Sequence, residues 1–128
     1  MKDGNTNYIS RYYGDILHIY IPTFTRNIYY LNTDSTDIYK KILTKQLGIK
    51  DFGTFNHNAV GNFSVYEQNN TPVGIIRCLK RNIPELAHEC LHATFWIMED
   101  VGMELNRGSE EAYCYTQMML MSEILKRR

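Results

Sequence analysis

The chain has 128 residues, enough for one domain with a hydrophobic core, and no repeat or linker divides it. Its 14 basic side chains balance 14 acidic ones, so no net positive field would attract a nucleic-acid backbone or an anionic membrane. The polar opening has no apolar run typical of a signal peptide, and no later stretch approaches the length of a membrane span. We therefore expect a single domain over residues 1–128 that is cytoplasmic, with no nucleic-acid or membrane partner.

The first half of the chain predicts two strands followed by one helix. Residues 15–21 and 28–31 are rich in β-branched and aromatic side chains, which is typical of strands. The cluster NTDSTD offers N-caps for a helix near 36–47, which Gly48 would close. Residues 51–61 predict a loop. The three cysteines form no CxxC pair, and their apolar surroundings predict reduced core thiols.

A hairpin is predicted in the middle of the chain. The segments NFSVYE and VGIIRCL flank QNNTP, where asparagine and proline favour a turn. The second segment is a core strand in the simplest interpretation. Its edge is also a candidate for pairing with an extended peptide, since backbone pairing makes little demand on the peptide's sequence.

Two helices are predicted to complete the domain. One runs from about 84 to 101, with Pro84 in its first turn and Gly102 as its left-handed cap. Its apolar residues fall on two faces, which predicts a buried helix; they are Leu86, Cys90, Ala93 and Ile97 on one, and Leu91, Phe95 and Met98 on the other. Ser109 can cap the last helix, from about 110 to 126.

The stretch ELAHECLH, residues 85–92, contains the candidate metal-binding residues. His88 and His92 are four residues apart, so on a helix they project from one side and can bind one ion. With Glu89 they form HExxH, in which two neutral histidines ligate zinc and the glutamate takes a proton from the zinc-bound water. The alternative is a pair of core histidines, or histidines on a wetted strip of the helix. Because burying unpaired imidazoles costs several kcal/mol, the pattern favours a metal.

A catalytic zinc needs a third protein ligand and one open position. The longer pattern HExxHxxGxxH is excluded, because Phe95 and Met98 stand where it requires glycine and histidine. The remaining donors are His18, His57, the cysteines and the downstream carboxylates. Each of these also has an ordinary structural interpretation.

Glu110 and Glu111 both begin the last helix, but only one can face its buried side. We predict that this side holds Glu111, Cys114, Tyr115, Met118, Met121 and Leu125. The side that includes residues 110, 113, 117 and 123 is more polar and is predicted to face solvent. Glu111 is therefore expected to face inward, and Glu110 to be a solvated acid that stabilises the helix N-terminus by about 0.3–1 kcal/mol.

HExxH followed by a glutamate on a later helix resembles the gluzincin arrangement of zinc metallopeptidases. The segment EAYCYTQMMLM is similar to the EANxFAxxLLM segment of ImmA/IrrE-type members, with Tyr113 in place of the asparagine. The order of elements also resembles small peptidases encoded by tailed bacteriophages. The resemblance covers about residues 73–125. No repressor-cleaving module is evident, residues 1–60 resemble no family, and no substrate is implied.

The predicted elements and the resemblance together give the expected fold, an α+β, zincin-like single domain with an N-terminal antiparallel or mixed sheet, one helix, and then two helices that carry the metal site. By the resemblance, the site residues have the following roles. His88, His92 and Glu111 would ligate Zn2+, and Glu89 would be the catalytic base. Tyr115 would donate to the oxyanion, although an aromatic there is more often a core residue. His57 is a second candidate for that role.

The expected function is that of a hydrolase, a zinc metallopeptidase acting on a peptide or protein substrate. The alternative is a catalytically inactive, metal-stabilised binding or regulatory protein of a phage or bacterium, in which a fourth ligand such as Cys114 closes the site. Hydrolysis of a non-peptide amide is a third option. The intact Glu89 favours an enzyme, because a structural zinc needs no general base.

Overall fold

The computed structural model describes residues 9–53 and 59–126. In this part of the chain it has an α+β architecture, as predicted, with one mixed sheet and three helices. The last turn of the first helix continues as a π-helical segment at Leu43–Leu47. The elements are β1 (Ile9–Tyr13), β2 (Ile16–Ile21), β3 (Arg26–Leu31), α1 (Thr36–Ile42), β4 (Gly61–Gln68), β5 (Thr71–Cys78), α2 (Ile83–Asp100) and α3 (Glu110–Lys126).

The sheet has the strand order β1-β2-β3-β5-β4. β3 and β5 run parallel, and the other neighbouring strands are antiparallel. Among the described strands, β1 and β4 are therefore the edges. The expectation that β5 presents a free edge to a peptide is wrong, because β3 and β4 already pair with both of its sides. The edge strand beside it is β4.

The helices cover both faces of the sheet. Alternating side chains of β2, β3 and β5 point to opposite faces, as the two-residue period of a strand requires. On one face they pack with α2 and α3, where the buried residues include Leu17, Ile28, Tyr30, Ile76, Leu86, Cys90, Ala93, Ile97, Leu120 and Ile124. On the other face they pack with α1 and its extension, through Tyr29, Leu31, Tyr39, Leu43, Tyr66 and Ile75.

Most predicted elements are confirmed. The predicted helices near 36–47, 84–101 and 110–126 form within a residue or two of those bounds, the first with its π-helical end. Gly48 and Gly102 adopt left-handed φ values of 72° and 82°. Ser109 directly precedes α3, and its carbonyl accepts a hydrogen bond from the Tyr113 amide, but its hydroxyl bonds to the preceding loop and not to an amide of α3. β1 was not predicted, and residues 54–58 of the predicted loop lie outside the described part.

The predicted buried side of α3 is wrong. The side chains that are buried belong to Tyr113, Thr116, Leu120, Glu123 and Ile124, whereas Glu111, Cys114, Tyr115, Met118 and Leu125 are exposed. Glu123 is tolerated inside because Ser10 of β1 donates to it and Lys126 forms an ion pair with it. No described helix is long and apolar enough to cross a membrane.

Gly74 of β5 allows a close aromatic contact on the α2 side of the sheet. A Cβ at this position would lie 2.8 Å from Phe63 Cε1 and 2.9 Å from Trp96 Cζ3. We predict that Gly74→Ala lowers the free energy of unfolding by about 1–3 kcal/mol, because the added methyl group must displace one of two rings that pack against the core. Urea unfolding measures this loss.

The loss should be smaller in a Phe63→Leu background, where one of the two rings is gone. Ser122→Ala, at an exposed position of α3, is the control and should change stability by no more than about 0.5 kcal/mol. An equal cost of Gly74→Ala in both backgrounds would contradict the assigned contact.

Candidate metal centre

Helix α2 has a clear start and one strongly buried face. The Asn82 side chain accepts a hydrogen bond from the Glu85 amide at 3.3 Å, and Pro84 lies in the first turn, where its missing donor costs nothing. The face against the sheet carries Leu86, Cys90, Ala93 and Ile97, all fully buried. This packing fixes the rotation of the helix and therefore the direction of every other side chain.

His88 and His92 lie on the opposite face and are exposed. The expectation that both imidazoles are buried in an apolar helix is therefore wrong. Their Nε2 atoms are 3.1 Å apart, and the rings meet at 72° with centroids 4.7 Å apart. Two Zn–N bonds of about 2.05 Å at a tetrahedral angle would separate the nitrogens by about 3.3 Å. The two rings are hydrogen-bonded to each other, and a similar spacing could also hold one ion.

Glu89 points between the histidines and the sheet. It is only 3% exposed. One ligand atom from each of His88, Glu89 and His92 lies within 4.8 Å of the other two, so these three residues could hold a metal ion. The pKa of Glu89 is raised from 4.5 to about 8, mainly by burial and then by the hydrogen bond that protonated Glu89 donates to Glu85 and by the negative charge of Glu85, while the positive charge of Arg77 opposes the shift.

Glu85 and Gly61 belong to this site and were missed in the sequence. A Cβ on Gly61, at the start of β4, would lie 2.8 Å from Cγ and Oε2 of Glu85 and 2.9 Å from the Arg77 carbonyl oxygen. The strand can therefore approach the Glu85 carboxylate only because residue 61 is glycine. The sequence did indicate that Glu85 is a neighbour of Glu89, since the two are one helical turn apart.

Arg77 is a fully buried cation at the end of β5. Its Nε donates to Asn62 Oδ1 at 3.1 Å and its Nη2 donates to the Ala59 carbonyl at 2.9 Å. These bonds hold the segment before β4 against the sheet. An arginine inside the apolar run VGIIRCL was the sequence signal for such a role.

The remaining predicted residues lie apart from the histidine pair. α2 and α3 pack antiparallel, with Gln117 donating to the Ala87 carbonyl at 2.9 Å and the Phe95 ring 5.2 Å from Tyr113. Residues 114–117 are thus level with the histidines, and Glu111 lies further along, beyond Tyr113. Among the described residues, neither Glu111 nor Cys114 joins the three-residue group. Tyr115 is 55% exposed, so it is not a core residue.

Two other histidines were candidate donors. His18 lies in β2 on the α1 face of the sheet, where it bonds to Asn27 Oδ1 at 2.7 Å and stacks on Tyr29. That face is opposite to the one that carries α2, so His18 is excluded from the site. His57 lies outside the described residues.

The three cysteines are free, as predicted. Cys78 and Cys90 are core thiols, and burial raises the pKa of Cys78 to about 12, so it is protonated at neutral pH. Cys114 is exposed, contrary to the prediction of a core position.

Comparison with known proteins adds no relative: no family model, curated protein or solved structure matches the chain.

The buried Glu89 gives the metal-free protein a specific pH dependence. Because the pKa of Glu89 is higher in the folded state, the folded protein binds its proton more tightly than the unfolded chain. Stability should therefore fall as the pH rises from about 4.5 to about 8, and Glu89→Gln should remove that fall. We predict that the difference in unfolding free energy between this variant and the parent shifts in favour of the variant by about 1–3 kcal/mol from pH 5 to pH 8.

Urea unfolding of chelator-treated protein at both pH values measures the difference. Glu67→Gln, on the exposed side of β4, is the matched control and should leave the pH dependence unchanged. Equal slopes for Glu89→Gln and the parent would show that Glu89 is not the buried acid responsible.

Proposed function

We propose that the protein is a zinc-dependent metallopeptidase with a zincin-like metal site on α2. The observation that carries this proposal is the convergence of the two Nε2 atoms, 3.1 Å apart, beside a buried carboxylate. His88 and His92 are assigned as zinc ligands and Glu89 as the general base. When bound, zinc supplies an activated water and polarises the carbonyl of the substrate.

The roles of this chain's own residues follow from their positions. Glu89 is held on the sheet side of the histidines, where it can take a proton and return it to a leaving amine. β4 is the edge strand beside α2 and, in the described part, has one unpaired side. A substrate in extended conformation can pair with that edge through its backbone, which fixes the scissile bond without reading its sequence.

Two further assignments in the proposal are Glu111 as third ligand and Tyr115 as oxyanion donor. Both lie on the exposed side of α3, as the histidines lie on the exposed side of α2, so a metal here would be near the surface. Glu111 must approach the pair for the site to close. Cys114 and Glu110 are its competitors on the same helix.

The second candidate function is a metal-stabilised binding protein without turnover. The observation that favours it is that Glu89 is one of the three residues that could hold the ion. A carboxylate that ligates the metal is not free to act as the general base. Retention of zinc without turnover of any peptide would select this function.

Zinc content and turnover together test the main proposal. We predict one zinc per chain in protein purified without added metal, and loss of that zinc in His88→Ala and His92→Ala. Glu89→Gln should keep the zinc and lose about 10²- to 10⁴-fold in turnover of a peptide library, since general acid–base catalysis contributes that much. Elemental analysis and mass spectrometry of the cleaved peptides give the two readouts.

His18→Ala is the matched control, because His18 lies on the other face of the sheet. It should change neither zinc content nor turnover. A parent protein that binds no transition metal would contradict the whole proposal. Unchanged turnover in Glu89→Gln would contradict the assignment of Glu89 as general base.

Substitutions at the start of α3 identify the third ligand. We predict that Glu111→Ala weakens zinc affinity by about 10-fold or more, whereas Glu110→Ala costs at most about 1 kcal/mol of stability and leaves the affinity unchanged. Competition with a chelator measures the affinity. Loss of zinc in Cys114→Ala instead would move the ligand by one helical turn, and no loss in any of the three would place it elsewhere in the chain.

A further inference from the structure

A cavity continues the line of the two histidines along α2. On an α-helix, a residue and those four, seven and eleven positions after it lie along one side. Phe95 and Glu99 are therefore in line with His88 and His92. A cavity of about 460 Å³ opens there, with walls that include Phe95, Glu99, Met103, Glu104, Leu105 and Tyr113.

The apolar wall of this cavity is held in place by bonds between the loop and both helices. The Tyr113 hydroxyl donates to the Met103 carbonyl at 2.6 Å, and the Met103 amide donates to the Met98 carbonyl at 2.8 Å. The rings of Tyr113 and Phe95 pack edge to face. The cavity is thus preformed, and a ligand need not order the loop.

Two carboxylates flank the aromatic wall. Glu99 and Glu104 are both exposed, and neither has an ion-pair partner within residues 9–53 and 59–126. Glu99 and Glu104 line the same cavity as Tyr113. Burial raises the pKa of Tyr113, and the negative charges of the two carboxylates raise it further. The site therefore combines an apolar wall with two carboxylates at its rim.

We propose that this cavity is the subsite for a lysine or arginine side chain of the peptide substrate. The proposal rests on the peptidase function and adds its specificity. The aliphatic stem of such a side chain packs on Phe95 and Leu105, and its charged end reaches Glu99 and Glu104. An acidic side chain would be repelled, and a purely apolar one would leave the carboxylates without a counter-charge.

The spacing along the helix fits a peptide that also reaches the histidines. Phe95 and Glu99 follow His92 by three and seven residues, which is about 5–10 Å along the helix axis at 1.5 Å per residue. An extended peptide advances about 3.3 Å per residue. The basic side chain would therefore stand two or three residues from the bond that is cleaved.

Binding of short capped peptides tests the subsite directly. The peptides differ at one position, which holds lysine, norleucine or glutamate, and their affinity is measured by calorimetry on Glu89→Gln protein with and without added zinc. The lysine peptide should bind about 5- to 20-fold more tightly than the norleucine peptide at low salt, since each exposed ion pair contributes up to about a factor of five.

The double variant Glu99→Gln/Glu104→Gln should lose this preference. The matched control is Asp34→Asn/Asp37→Asn, which removes two exposed acids at the start of α1 on the other face of the sheet and should retain it. Equal binding of lysine and norleucine peptides, no measurable binding of the lysine peptide, or a preference that survives the double variant overturns the subsite.

Failure of the peptidase function is read separately. Parent protein that cleaves no peptide but still prefers lysine, with that preference lost in the double variant, retains the basic subsite and loses the enzyme. Parent protein that cleaves peptides, and loses turnover in Glu89→Gln, but shows no lysine preference retains the enzyme and loses the subsite.

Discussion

The packing of α2 on the sheet determines the candidate site. Leu86, Cys90, Ala93 and Ile97 form one buried stripe that contacts the strands. At about 25 cal/mol per Å² of buried apolar surface, turning the helix to expose this stripe would cost several kcal/mol. The rotation of α2 is therefore fixed, and with it the outward position of the histidines and the inward position of Glu89.

The sequence was a good guide where a single helix determines the outcome. The spacing of His88 and His92 puts both rings on one side of any α-helix, and the Nε2 atoms do converge. The buried side of α3 could not be predicted from the helix alone, because apolar residues occur on two of its sides. Glu123 made the correct side look polar, and only the fold shows that Ser10 of β1 pairs with it. A contact between residues 113 positions apart leaves no local signal.

The carboxyl pair at the site was only partly visible in the sequence. Glu85 stands one turn before Glu89, so their proximity follows from helix geometry. The requirement for glycine at position 61 does not, because it arises where β4 begins against the helix. The proposed third ligand, Glu111, is likewise a matter of tertiary structure, since its distance from the histidines depends on how α3 is placed beside α2. Contacts within one helix, and the pairing of β4 with β5 across a short turn, were predictable, whereas contacts between elements distant in the chain were not.

Substitutions on the two sides of α2 are expected to have different effects. Its inward stripe is part of the core, where truncation costs several kcal/mol. His88, His92 and Glu99 are exposed, and exposed substitutions usually change stability by no more than about 0.5 kcal/mol. If the proposed function is correct, changes along the outward stripe would alter binding while the fold persists. Glu89 differs because it is buried beside Glu85, so its substitution would affect both the proposed base and the core.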